Sequence, residues 1–357
     1  MNAPATNPEI GKQIQCGPVL TNYHDLGSGE PVLLLHGSGP GVSAWANWRL
    51  PLQALKGQFR LLAPDLAGFG FSEFPADMAF SRQTWLEQIV AFLDALGLDK
   101  VHVIGNSFGG SMALALAIAH PERVKRLVLM GSVGVPFELT DGLDRVWGYT
   151  PSFENMQSIM KIFAWNQALV GDELVQMRYE ASLRPLTRAA YERMFPAPRQ
   201  RWVDAMAHAE ADVRAIKHPT LMVHGRDDKV IPLSTSMTLL DWIEDSQLHI
   251  FGRCGHWTQI EHAAAFSQLV ANFLAAGSGG ATSRPNRTPH HGTSIHAQGP
   301  EGPDRRRRYR RHGERHHPVA ARRRGRPDRH QPQLGRARRR HHHHRADAAR
   351  AQAARRV

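Results

Sequence analysis

The stretch Val101–His120, VHVIGNSFGGSMALALAIAH, constrains this chain more than any other. Val101–Ile104 is a short apolar run rich in β-branched residues and predicts a buried strand. Ser111–His120 carries the small and long apolar residues of a buried helix, and Pro121 follows it. Between them lies Gly105-Asn106-Ser107-Phe108-Gly109, a G-x-S-x-G pentapeptide. A strand that passes directly into a helix must turn sharply at Ser107, and flanking glycines remove the Cβ atoms that would collide there. Such a turn presents a serine Oγ at a helix N-terminus, where unpaired N–H groups favour a developing negative charge. An incidental serine in a glycine-rich turn would look similar, so the remainder of the chain must decide.

The pattern around this stretch alternates. Val19–Asp25, Pro31–Leu35, Phe59–Ala63, Arg126–Met130, Pro219–Val223 and Gln247–Phe251 predict strands. Helical spacing covers Trp45–Leu55 and Thr84–Leu96, a segment from about Leu233, and another from about Glu261 to Ala275. The alternation breaks between about Pro136 and His208, where Trp147, Tyr149, Trp165, Tyr179 and Trp202 lie on helical segments with no convincing strand. Strands alternating with helices on both sides of one helical insertion imply a mostly parallel sheet covered on both faces. The domain plan is a core over 1–135 and 209–276, a helical cap over 136–208, and a tail over 277–357. Ligands of such sheets bind beyond the strands' C-terminal ends. Three glycine-rich or polar loops fall there: 36–41 (HGSGPG), 64–70 (PDLAGFG) and the serine turn itself.

A nucleophilic serine needs a base, and the base needs a carboxylate to orient it. Gly225-Arg226-Asp227-Asp228 follows one buried strand, and Gly252-Arg253-Cys254-Gly255-His256 follows the last, which also reads as buried. Asp228 is favoured over Asp227, which is more simply a solvated loop charge. The order Ser107, Asp228, His256 is that of the α/β-hydrolases. In such a site, backbone N–H groups of Phe108 and of Ser38 and Gly39 in the 36–41 loop form the oxyanion hole.

Charge divides the chain. Its 44 Lys and Arg, 32 Asp and Glu give +12, but 22 Arg and 5 acidic residues lie from Gly277 onward, leaving 22 basic and 27 acidic residues before it, or −5. The tail has no Lys and 11 His, and it is rich in Ala, Gly and Pro. These residues have GC-rich codons. The segment reads as out-of-frame translation, so no physiological nucleic-acid partner is expected despite its basicity. Two cysteines, no basic-then-apolar leader and no apolar run long enough for a bilayer predict a soluble cytoplasmic protein without a disulfide framework.

The chain resembles the meta-cleavage product hydrolases, α/β-hydrolases that cleave a carbon–carbon bond in ring-fission products of aromatic compounds. The stretches that carry the resemblance are HGSGPG (36–41), WANWR (45–49), GNSFGG (105–110), GRDDKVIP (225–232) and CGHWTQIEHA (254–263). PEIGKQI (8–14), LMGSVGV (129–135), VWGYTPSFENM (146–156) and MFPAPRQRWVDA (194–205) narrow it to the members acting on 2-hydroxymuconate semialdehyde and its small alkyl analogues. The resemblance implies a dienoate substrate and no metal or organic cofactor. It also implies substrate contacts from Asn106, Arg178, Trp257 and Asn47, with Arg178 on the carboxylate and 2-oxo end. A homodimer is expected on the same ground. Val133, just beyond a strand, is expected to restrict the group at C6. A serine carboxylesterase of the same fold, or a slow small-molecule receptor built on it, would share the triad, so substrate chemistry has to separate them.

Overall fold

The computed structural model describes residues 7–276. The tail from 277 onward, and with it the out-of-frame reading, lies outside the described residues. Eight strands form one sheet: β1 (Lys12–Cys16), β2 (Val19–Leu26), β3 (Glu30–Leu35), β4 (Phe59–Pro64), β5 (Val101–Asn106), β6 (Val124–Met130), β7 (Thr220–Gly225) and β8 (Ser246–Phe251). Their order is β1-β2-β4-β3-β5-β6-β7-β8. β2 is antiparallel to both β1 and β4, and every pair from β4 to β8 is parallel.

Side chains leave a strand alternately to either face, and each face of this sheet carries its own helical layer. Val32 and Leu34 of β3 face Trp48 and Leu52 of α1 (Ala44–Leu55) together with Phe266 and Val270 of a C-terminal helix at Ala263–Ala275. Leu33 and Leu35 face the opposite way, in a cluster with Trp85, Ile89 and Phe92 of α2 (Arg82–Ala95) and Met112 and Leu116 of α3 (Phe108–Ala119). Residues of β3 are therefore apolar at consecutive positions because both faces are covered. The side chains of Ser43 and Ser81 cap α1 and α2 by accepting from the N–H groups of Ala46 and Thr84.

Between Met130 and Thr220 the chain forms helices only: α4 (Asp141–Trp147), α5 (Phe153–Phe163), α6 (Asp172–Ser182), α7 (Pro185–Met194), α8 (Gln200–Met206) and α9 (Glu210–Arg214), with one short 3₁₀ turn at Gln167–Leu169. Met156, Met160 and Val175 share an apolar cluster of their own in this region. The chain returns through β7, α10 (Leu233–Trp242), β8, the short α11 (Thr258–Glu261) and α12 (Ala263–Ala275).

One strand goes beyond the sequence expectations, and one expectation needs correction. β1 does not show in the sequence, because KQIQC is a largely exposed edge strand whose polar residues hide the pattern. Gln247–Phe251 is a strand but not a buried one: β8 is the other edge, with exposed and half-buried residues throughout. No helix among the described residues is long and apolar enough to cross a membrane.

Candidate active site

β5 and α3 are separated by a single residue, Ser107. Its φ of 54° and ψ of −113° are strained for a residue with a Cβ. The strain is held by close packing that only glycine allows. A Cβ on Gly105 would meet the Gly109 carbonyl oxygen at 2.4 Å, and one on Gly109 would meet the Leu35 carbonyl oxygen at 2.2 Å. The backbone of Ser107 is bonded on both sides: its N–H donates to Met130 O at 2.9 Å, and its C=O accepts from Val133 N at 3.1 Å and Gly110 N at 2.9 Å. Phe108 begins α3, so its N–H has no partner within the helix.

Asp228 and His256 reach the same place from the loops after β7 and β8. His256 Nδ1 lies 2.7 Å from Asp228 Oδ2, while Asp228 Oδ1 accepts from Val230 N at 2.7 Å and Ile231 N at 3.0 Å. Asp227 makes no such contact and pairs with Arg226 at 3.5 Å. Burial works against the Asp228 charge, but the field of His256 and hydrogen bonds from His224 and His256 outweigh it and hold the carboxyl well below the usual range. The imidazole is fixed further by Phe163, whose ring stacks on it at 5.7 Å and whose carbonyl accepts from His256 N at 2.7 Å. Gly131, at φ +48°, closes the turn after β6; a Cβ there would stand 3.3 Å from both Asp228 and His256. Phe163, His224 and Gly131 are site-building residues that the sequence did not reveal. Only Gly131 carried a signal, as a glycine directly after a strand.

Ser107 and His256 both line a cavity of about 180 Å³. No hydrogen bond joins their side chains among the described residues, a looseness common in unliganded sites. Apolar side chains of the lining are Leu143, Val146, Ile159, Met160, Phe163 and Val230. Its polar side chains include Asn47, Gln259, Arg49 and Arg178, the last two shared with a neighbouring cavity. Ser38 and Gly39 line it beside Ser107, and Ser38 Oγ accepts from Trp147 Nε1 of α4 at 3.0 Å. The loop is held from below by His36, whose Nε2 accepts from Leu66 N at 2.9 Å and whose Nδ1 donates to Gly37 O at 2.7 Å.

The amides are arranged around Asn47. Its Oδ1 accepts from Asn106 Nδ2 at 2.8 Å and from Gly37 N at 3.2 Å. Its own carbonyl would ordinarily accept the N–H four residues later, but that residue is Pro51, inside α1. Gln259 Nε2 takes the freed carbonyl at 3.3 Å. Asn47 Nδ2, Asn106 Oδ1 and Gln259 Oε1 are left buried with no partner. Asn47 and Gln259 line the cavity and Asn106 does not, standing one residue behind the lining through its bond to Asn47; such orphaned amide atoms are costly unless a polar ligand meets them.

The remaining expected residues divide. Trp257 lines the cavity and stacks on Phe163 at 5.3 Å. Arg178 also lines it, but its guanidinium bonds Glu9 and donates to Gly41 O at 3.2 Å. The Phe108 side chain points away into the core, where it meets Trp85 edge-on at 4.7 Å; only its backbone faces the reaction site's elbow. Val133 is buried in the core cluster and is not among the cavity-lining residues, so the expectation that its side chain crowds the C6 group finds no direct contact.

Comparison with known proteins identifies the family of the chain. A family model described as the alpha/beta hydrolase fold matches residues 30–263. A 2-hydroxymuconate semialdehyde hydrolase from Pseudomonas sp. is 58% identical over 275 residues, covering 77% of this chain and 97% of that protein. A 2-hydroxy-6-oxo-2,4-heptadienoate hydrolase from Pseudomonas putida is 56% identical over 270 residues, covering 76% and 98%. Among solved structures, a meta-cleavage product hydrolase from Pseudomonas fluorescens matches with a TM-score of 0.75 and 51% identity, covering 76% of this chain and 100% of that one. With a serine elbow, an aspartate-held histidine and a helical layer over the cavity between them, the chain belongs to the α/β-hydrolase family, among its meta-cleavage product hydrolases.

Proposed function

We propose that the protein hydrolyses the C5–C6 bond of 2-hydroxy-6-oxo-2,4-dienoates carrying hydrogen or a small alkyl group at C6. The observation that carries this reading is the mixed lining of the cavity: two arginines and the orphaned amides of Asn47 and Gln259, apolar side chains from α4 and α5, and Ser107 and His256 facing the same space. A dienoate has groups for both, a carboxylate and 2-oxygen at one end and the C6 substituent at the other.

The chemistry requires two stages. The dienol must first become a keto tautomer with the proton delivered to C5, since only then does an electron sink stand next to the bond to be broken. Asn47, Asn106, Gln259 and the arginines hold the charged end, and His256 moves protons with its tautomer fixed by Asp228. Ser107 Oγ then attacks C6, and N–H groups of Phe108 and of the Ser38–Gly39 segment hold the oxyanion. Collapse expels the C5 carbon as an enol, and water releases the carboxylic acid from Ser107. Trp257 forms part of the cavity wall beside Phe163. Two buried, unpaired thiols, Cys16 and Cys254, suit a reducing compartment such as the cytoplasm.

The test compares the 6-methyl dienoate with a 4-nitrophenyl ester of similar size, following the loss of the yellow dienol and the appearance of a 2-hydroxypentadienoate and acetate. A kcat/KM for the ester equal to or above that for the dienoate would make the protein an esterase. Stoichiometric binding of the dienoate without turnover would make it a receptor.

A further inference from the structure

A second cavity, of about 610 Å³, adjoins the first and shares Ala46, Arg49, Leu174 and Arg178 with it as lining residues. Its remaining charged groups are Arg184, Glu9 and Glu180. Glu180 is solvent-exposed and bonded to Gln176. Glu9 is different. Only 8% of it is exposed, and its backbone is pinned to the core where Asn22 Nδ2 donates to Glu9 O at 3.0 Å. The same amide nitrogen donates to the buried Asp65 at 2.7 Å. From this anchor the Glu9 carboxylate reaches the cap: Oε1 bonds Arg178, and Oε2 stands 3.5 Å from Arg184 Nη1.

The cluster is under-satisfied. Glu9 Oε2 and Arg184 Nη2 are buried without a hydrogen-bond partner. Arg49, at the neck between the cavities, donates through Nη1 to Ala46 O at 3.0 Å and has no ion pair among the described residues. Burial and the charge of Arg178 push its guanidinium downward from its ordinary value, and the charge of Glu9 opposes them without cancelling them. Three arginines therefore line these cavities against one buried lining carboxylate, Glu9, with the core carboxylate Asp65 also acting on Arg184. Guanidinium groups bind carboxylates through paired N–H donors, so the neck has room in charge and in donors for a second one.

We propose that the second cavity is a carboxylate-binding vestibule for the substrate: Glu9 is the resident carboxylate on Arg178 and Arg184, and Arg49 is the cation that receives the incoming one. The incoming anion then exchanges with Glu9 for Arg178 as it passes into the inner cavity. This goes beyond the proposed function but rests on its reading of the substrate as a carboxylate. The Glu9 charge opposes entry, so removing it strengthens carboxylate binding, while removing the Arg49 charge weakens it.

Sorbate, an unreactive dienoate, and its neutral amide are the probes, with binding to the full-length protein measured by calorimetry. The readout is the ratio of the two affinities, which a general loosening of the fold does not move. Glu9→Gln keeps an oxygen for Arg178 and removes only the charge; it raises the sorbate-to-amide ratio by about threefold or more. Arg49→Gln lowers the ratio by about fivefold or more, and Arg49→Lys restores most of it. A ratio that stays in place in either Glu9→Gln or Arg49→Gln overturns the proposal, as does the absence of any sorbate binding at millimolar concentration. Both shifts in a protein that fails to cleave the dienoate would leave the vestibule standing and sink the substrate reading alone.

Discussion

The Asp228 carboxylate divides its two oxygens: one is committed to backbone N–H groups at 2.7 and 3.0 Å, the other to His256 Nδ1 at 2.7 Å. The first pair fixes the rotamer, and the second fixes the imidazole tautomer with Nε2 free toward the cavity. Asp228→Asn keeps an oxygen for the backbone but presents an amide N–H to Nδ1, which favours the wrong tautomer. The expected loss in kcat is on the order of 10⁴-fold, as for the corresponding change in serine proteases. Asp227→Asn changes kcat/KM less than about threefold, because this half-buried carboxylate pairs with Arg226 and does not reach His256. Steady-state rates on the 6-methyl dienoate check both.

Ser107→Ala separates ketonisation from cleavage. It removes Oγ and leaves the amide cluster, the arginines and His256 in place. The variant still binds the dienoate and perturbs its spectrum in stopped-flow absorbance. Its steady-state cleavage falls by several orders of magnitude, toward the residual of roughly 10³–10⁴-fold over water that binding and an oxyanion hole supply. Retention of more than about a tenth of the turnover would make water the nucleophile.

Acid sensitivity of the fold follows from two buried histidines. Burial lowers His36 and His208 to about 4. The geometry agrees, because His36 Nε2 accepts from Leu66 N and His208 Nδ1 faces Arg82 Nη1 at 3.5 Å, so neither has room for a second proton. Between pH 6.5 and about 4 the unfolded chain binds these protons and the folded chain does not, so stability rises with pH across that window and is complete above it. Each residue contributes at most about 3 kcal/mol to this fall on acidification. His208→Gln shows a shallower dependence of the urea midpoint on pH in the same window, and an unchanged slope removes His208 from the account.

The apolar lining of the cavity sets the range of C6 groups. Leu143 on α4 and Ile159 on α5 both belong to it, and their truncation opens space without changing the polar side chains. Leu143→Ala and Ile159→Ala raise kcat/KM for a 6-phenyl dienoate relative to the 6-methyl compound by about tenfold, the scale on which pocket size discriminates. Val133→Ala, by contrast, acts through core packing and lowers thermal stability, at a cost of about 1–3 kcal/mol. A phenyl preference that appears only in Val133→Ala would place the filter at the elbow.

Local spacing was enough for much of this molecule. G-x-S-x-G between an apolar strand and an apolar helix already demanded the turn at Ser107, because no other path joins those two elements so briefly. The period of apolar residues marked the inner strands and the strand-free helical stretch, since burial on both faces writes a continuous signal into four or five neighbouring residues. Edge strands carry a weaker signal: the polar KQIQC of β1 shows none, and β8 shows a strand without showing that it lies at an edge. Tertiary structure alone decided which partner each polar group would meet. Adjacent aspartates in one loop differ in sequence only by their place, which favoured Asp228, and the fold supplies the contact by turning it toward His256. Arg178 meets Glu9 across 169 residues, and Gln259 meets the carbonyl that Pro51 leaves free on Asn47 across 212. Such contacts depend on how packed layers bring distant loops together, and their energies come from desolvation and geometry that no local pattern records.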